Sequence, residues 1–114
     1  MDNFAVFILS NGRPGNIKTL TSLNRHGYTG KIYIIIDDED PTKDQYINNF
    51  KEKVIIFNKE EVLKKFDIGT NKVEKRAIIF ARNACFDIAE KLKIQYFIQL
   101  DDDYTDFRYV FDLN

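Results

Sequence analysis

At 114 residues, with 44% hydrophobic and 31% charged residues, the chain has the makeup of one globular domain with a single core, small for a complete two-substrate enzyme. Its net charge of −1, from 17 basic and 18 acidic residues, excludes a general basic field for nucleic acid or anionic membranes, and no apolar run reaches the roughly 20 residues of a membrane span. Cys85 is the only cysteine, which excludes an internal disulfide; together with a start, Met1 to Phe4, that lacks a secretory pattern, it leads us to expect a cytoplasmic protein.

Phe4 to Leu9 is a continuous apolar run, short enough for a strand buried on both faces. A breaker cluster, Ser10 to Gly15, follows, and Asn16 is placed to cap a helix through about His26, with Gly27 just past its end. Lys31 to Ile36 predicts a second strand that stops at Asp37-Asp38-Glu39-Asp40. Asp40-Pro41 then reads as a helix start, and that helix reaches Phe50. Val54 to Phe57 is a third strand, and Asn58 with Glu61 has the spacing of a capping box. The longest helix is predicted from about Val73 to Leu92, with Val73, Ala77, Ala81, Ala84, Ile88 and Leu92 on one apolar face. Ile79, Phe80 and Phe86 lie off that stripe, so we expect cover on a second side. A fourth strand, Tyr96 to Leu100, ends in Asp101-Asp102-Asp103.

Strand–helix alternation with continuous apolar strands implies an α/β domain, a mainly parallel sheet with helices on both faces. With the strand order 3-2-1-4, a switch point falls between strands 1 and 4, where open α/β sheets bind ligands. The loop from Ser10 to Gly15 and the acidic triplet then meet at one crevice.

Three adjacent carboxylates strain one another: two charges about 4 Å apart repel by roughly 4 kcal/mol at an effective dielectric of 20. A solvated acidic turn is the plain reading. A divalent cation is the functional one, and all-oxygen ligands suit Mg²⁺ or Mn²⁺ held by one or two carboxylates plus phosphate. Residues two apart in an extended segment point to one side, so Asp101 and Asp103 are expected to share a target while Asp102 faces away. Arg82 lies 19 residues before Asp101, at the edge of the long helix's apolar stripe, where its fork can reach a diphosphate or simply snorkel to solvent. His26, near a helix C-terminus, and Cys85, beside the apolar stripe, read as structural. Asp40 reads mainly as a cap, and Arg76 as a surface charge near the pocket.

Ala81-Arg82-Asn83-Ala84, followed by a helix ending in Ala89 to Leu92 and a strand ending in Asp101-Asp102-Asp103, resembles the nucleotide-binding half of GT-A glycosyltransferases, especially family 2, where an ARN helix precedes a DxD strand. The opening strand, the polar loop with Arg13-Pro14 and the second strand ending in Asp37-Asp38 fit the same pattern. The resemblance implies a donor of the nucleotide diphosphate sugar class, UDP-sugar first, and a divalent metal. It implies that Asp103 ligates the metal, that Asp101 contacts metal or ribose, and that Asp37 reads the nucleoside. Arg82 would lie near the diphosphate, Ser10 and Arg13 would line the pocket floor, and Asp38, Asn83 and Asp102 complete the nucleotide-binding set. Ile8-Leu9-Ser10 with Arg13-Pro14, and Asp101 to Tyr104, also resemble the glycosyltransferases associated with TET/JBP DNA-base oxidation systems, which implies a modified, hydroxymethylated DNA base as acceptor.

Complete GT-A enzymes continue well past the DxD, whereas this chain ends 11 residues after Asp103. We therefore expect a truncated enzyme without its acceptor-binding part and with no catalytic base in hand. The alternation from Phe107 to Phe111 predicts a strand whose edge needs a partner or a further segment to cover it. Two other readings stay open. Asn11 to Gly15 is a faint counterpart of the glycine-rich signature of nucleotidyltransferases. Ile34 to Glu39 is similar to the acidic pair of receiver domains, although there the pair follows the first strand. A module that binds nucleotide and metal without catalysis is the remaining alternative.

Overall fold

The computed structural model describes residues 4–65 and 76–103, with side chains described for 4–62 and 81–103. Four strands, β1 (Phe4–Leu9), β2 (Lys31–Asp37), β3 (Val54–Phe57) and β4 (Tyr96–Asp101), form one sheet in the order β3-β2-β1-β4, with every pairing parallel. This is the order expected from the sequence. The helices are α1 (Lys18–Arg25), α2 (Lys43–Phe50), α3 (Lys59–Lys65) and α4 (Arg76–Leu92), and a single 3-10 turn, Lys51–Lys53, follows α2.

The apolar strands are continuous because both faces of the sheet are covered. Along β1, Ala5, Phe7 and Leu9 enter a core with Val62 of α3 and Ala84, Cys85 and Ile88 of α4. Val6 and Ile8 point the other way, into a core with Leu23 of α1 and Tyr46 of α2. The period of two carries through β4: Phe97 packs on the α4 face, and Ile98 and Leu100 pack on the α1/α2 face.

Helix ends follow local chemistry, with some departures from expectation. Asn16 does not cap α1; Ile17 holds that position without a side-chain bond, and the Thr19 amide instead donates to the Asp102 carbonyl at 3.3 Å. The helix start is therefore satisfied by a distant strand end, which no local pattern reveals. At its other end, Gly27 takes φ +86°, and Gly27 and Tyr28 amides donate to Asn24 and Leu23 carbonyls, the Schellman arrangement that favours glycine. α2 begins at Lys43, after a turn, yet Asp40 does hold the approach, accepting the Thr42 amide (2.8 Å) and hydroxyl (2.6 Å). Asn58 caps α3 as expected, accepting the Glu61 amide at 2.9 Å.

On α4, Ala81, Ala84 and Ile88 are buried as the stripe requires, and so is Cys85, while Leu92 is 42% exposed. Phe86 is 60% exposed, so the expected second cover is missing there; its ring meets only the edge of Phe97 among the described aromatic contacts. Val73 and the segment Phe107 to Phe111 lie outside the described residues, as do the side chains of Arg76, Ala77, Ile79 and Phe80. Among the described residues, no helix is long and apolar enough to cross a membrane.

Candidate active site

The carboxyl ends of the four strands open onto a cleft of about 240 Å³. The end of β1 and its loop supply Leu9, Ser10, Asn11 and Arg13, and β4 supplies Asp101, Asp102 and Asp103. Asp37 and Phe57, paired at the ends of β2 and β3, and Ala81 of α4 complete the wall. The cleft lies across the β1/β4 switch point, since Leu9 and Asp101 are register partners there. Six of the residues singled out by sequence line it: Ser10, Arg13, Asp37, Asp101, Asp102 and Asp103. A larger apolar groove, about 650 Å³ between β3, α3 and α4, contains none of them.

The β1 loop is held from several directions. The Ser10 amide extends the β1–β2 ladder by donating to the Ile35 carbonyl at 3.1 Å. Gly12 adopts φ +70°, a left-handed turn suited to glycine, and its amide donates to Asp40 Oδ2 at 2.9 Å. Asp40 is buried, which by itself raises its pKa. The bonds from the Thr42 hydroxyl, the Thr42 amide and the Gly12 amide outweigh that and bring it below the ordinary aspartate value.

Strand geometry ends at Asp101, and the next two residues turn. Asp102 consequently does not face away from the cleft, as an extended triplet requires. Its carboxylate, 11% exposed, lies against the β1 loop, accepting from the Ser10 hydroxyl at 2.7 Å and from Arg13 Nη1 at 3.3 Å. Ser10 Oγ in turn lies 2.6 Å from the Tyr46 hydroxyl, which also accepts the Arg13 amide at 2.8 Å. The Asp101 carbonyl accepts the Thr19 hydroxyl.

Asp101 takes the other side. Its carboxylate, 43% exposed, accepts from Arg82 Nη2 at 3.2 Å. Arg82 also donates to Gln99 Oε1 at 3.2 Å, and the Gln99 amide returns a bond to the Arg82 carbonyl at 3.0 Å. Arg82 thus reaches the triplet through Asp101 without lining the cleft. Asn83 does not line it either. Asp38 is likewise outside: its carboxylate accepts the Lys59 amide at the start of α3 (3.0 Å), a helix-end role. Asp37 stays inside the cleft wall, 5% exposed, with Oδ1 accepting the Glu39 amide at 2.8 Å.

Sequence reasoning missed Tyr46, Gln99, Phe57 and Ala81 as parts of this region. Gln99 carried a signal, a polar residue inside an apolar strand and in phase with Asp101. Tyr46 carried only the general need of a buried phenol for a partner. Among the described residues, no group of three or more His, Cys, Asp or Glu side chains is placed to hold a metal by itself. The donor chemistry that remains at the cleft, the carboxylates of Asp101 and Asp103, suits a hard cation that takes its other ligands from phosphate and water.

A family model described as TET-Associated Glycosyltransferase matches residues 4–114. The chain belongs to this family. It is accordingly of the glycosyltransferase class, and membership favours that class over the nucleotidyltransferase and receiver readings. The match begins at β1 and runs through the triplet, so every element that builds the cleft falls within the family's own span. No curated protein and no solved structure matches the chain.

Proposed function

We propose that the cleft is the donor site of a sugar transferase, binding a nucleoside diphosphate sugar (UDP-sugar first) together with Mg²⁺ or Mn²⁺. The observation that carries this reading is the meeting of Asp101, Asp103, Ser10, Arg13 and Asp37 around one cleft at the β1/β4 switch point. In this reading Asp103 and Asp101 ligate the cation, and the cation supplies positive charge to the departing diphosphate. Arg13, 54% exposed at the cleft, and Arg82, beside Asp101, supply further fixed positive charge to the same phosphates. Asp37 accepts from the nucleoside, and Leu9, Phe57 and Ala81 offer it an apolar wall. A cleft of about 240 Å³ is smaller than the roughly 300–1,000 Å³ of whole small-molecule sites, so it holds part of the donor.

The acceptor in this proposal is the hydroxyl of a hydroxymethylated DNA base, the class implied by the resemblance to glycosyltransferases of DNA-base oxidation systems. A cytoplasmic setting accords with the single buried thiol. Calorimetric titration with UDP, with and without Mn²⁺, tests the donor reading. Metal-dependent binding that Asp103→Ala removes supports it. Absence of metal-dependent binding, with no change in the variant, overturns it.

A further inference from the structure

Tyr46 stands outside the family-like motifs, yet its hydroxyl sits behind the cleft wall. α2 packs the ring at 0% exposure among Val6, Ile8 and Ile36 on the α1/α2 face of the sheet. The hydrogen-bond directions at its oxygen follow from proton counting. As a carboxylate Asp102 only accepts, so Ser10 gives its one proton to Asp102 Oδ2 (2.7 Å). Ser10 Oγ then accepts from the Tyr46 hydroxyl (2.6 Å), whose oxygen is left to accept the Arg13 amide (2.8 Å). Arg13 closes the circuit with its own guanidinium on Asp102 Oδ1 (3.3 Å).

The circuit runs one way, from the Arg13 amide through Tyr46 and Ser10 to Asp102, and hydrogen bonds in such a chain polarise one another. Burial, with the nearby Asp40 and Asp102 charges, pushes the phenol above its usual pKa despite its hydrogen bonds with Ser10 and Arg13, so it keeps its proton. We propose that Tyr46 is a positioning residue of the donor cleft. Its hydroxyl fixes the backbone of the 10–13 loop and the rotation of Asp102 together. With both Asp102 oxygens engaged, Asp101 and Asp103 are the pair presented to a cation and its phosphates. The ligand in this inference rests on the donor-site reading; the mechanical coupling rests on the hydrogen-bond circuit alone.

Tyr46→Phe keeps the ring and removes only the hydroxyl, and it is examined with two readouts on the 114-residue chain. The first is amide hydrogen exchange without ligand. We expect about five- to tenfold faster exchange at Arg13 and at 101–103, the factor a single net hydrogen bond is worth. The second is UDP affinity in Mn²⁺, expected to weaken about tenfold. Ser10→Ala reproduces both changes, and the double variant is no worse than either single one. Tyr28→Phe is the control, since that hydroxyl bonds only the Lys31 carbonyl among its described bonds and is expected to change neither readout. Faster exchange confined to Arg13, with 101–103 unchanged, overturns the coupling. Where the wild type binds UDP, unchanged affinity in Tyr46→Phe overturns the positioning role. If the wild type binds no UDP, the donor reading fails separately, and exchange at 101–103 in Tyr46→Phe and Ser10→Ala still decides whether the circuit couples the two segments.

Discussion

The two flanks of the acidic triplet are built from different materials. On the α1/α2 side, Asp102 is nearly buried and tied to Ser10, Arg13 and, through Ser10, to Tyr46. On the α4 side, Asp101 is 43% exposed and meets an arginine that is 42% exposed. The two fates divide where β4 ends: Asp101 is its last residue, and Asp102 lies in the turn that follows. A motif of three identical residues therefore contains two kinds of carboxylate. One is tied into the architecture, and the other stands more open to the cleft.

That difference can be broken by matched substitutions. Asp102→Ala is expected to have the largest effect on folding, about 1–3 kcal/mol, because it removes the acceptor of the half-buried Ser10 hydroxyl and of Arg13. Chemical denaturation measures it, and a loss no greater than that of Asp101→Ala would erase the distinction between the two sides.

The next effect depends on pH. Asp40 has its folded pKa lowered, so its contribution is fully present above the unfolded value of about 3.9 and is lost as pH falls through the folded value. Asp40→Asn is expected to be less stable than wild type at pH 7, with the gap closing below about pH 4. Melting curves across that range provide the check; a gap that persists or widens in acid contradicts the assignment of Asp40 as anchor of the Gly12 turn.

Smaller still is the Arg82–Asp101 pair. A double-mutant cycle on folding is expected to give about 0–1 kcal/mol of coupling, as for other solvent-exposed ion pairs. The same variants should weaken Mn²⁺-dependent UDP binding strongly, separating a ligand role from a structural one. Comparable losses in both assays would place Asp101 with Asp102 as an anchor.

The smallest response is expected at Cys85. The thiol is fully buried against the sheet, and loss of solvation pushes its pKa up to about 12 despite the lowering effect of Arg82. Native protein should label with maleimide only as fast as it unfolds. Rapid native labelling would show that the α4 layer opens.

Much of this arrangement was legible in the sequence because it depends on periods and punctuation. Continuous apolar runs at Phe4–Leu9 and Lys31–Ile36 marked buried parallel strands, while the order 3-2-1-4, which the structure shows, was assumed because no local pattern fixes it. The triplet and the loop after β1 stood out at strand ends, where such folds open, whereas Ser10, Arg13 and Asp37 were singled out through the resemblance to GT-A glycosyltransferases. What escaped was long-range. The cap of α1 comes from the Asp102 carbonyl, 83 positions away from Thr19, and displaces the local candidate Asn16. Asp38 was placed in the nucleotide-binding set next to Asp37, but the turn that follows β2 takes its carboxylate to the start of α3 while Asp37 stays at the cleft. Asp102 was misdirected by carrying strand alternation one residue beyond the strand. Tyr46 acquires its role only when α2 docks beneath the β1 loop.

The central claim, that the triplet and the β1 loop form one metal-dependent nucleotide site, is tested most directly by Mn²⁺ broadening of amide resonances in the presence of UDP. Selective loss of signal is expected at Ser10, Arg13, Asp37 and Asp101 to Asp103, abolished by Asp103→Ala. Broadening centred elsewhere on the chain, or unchanged by that substitution, would contradict it.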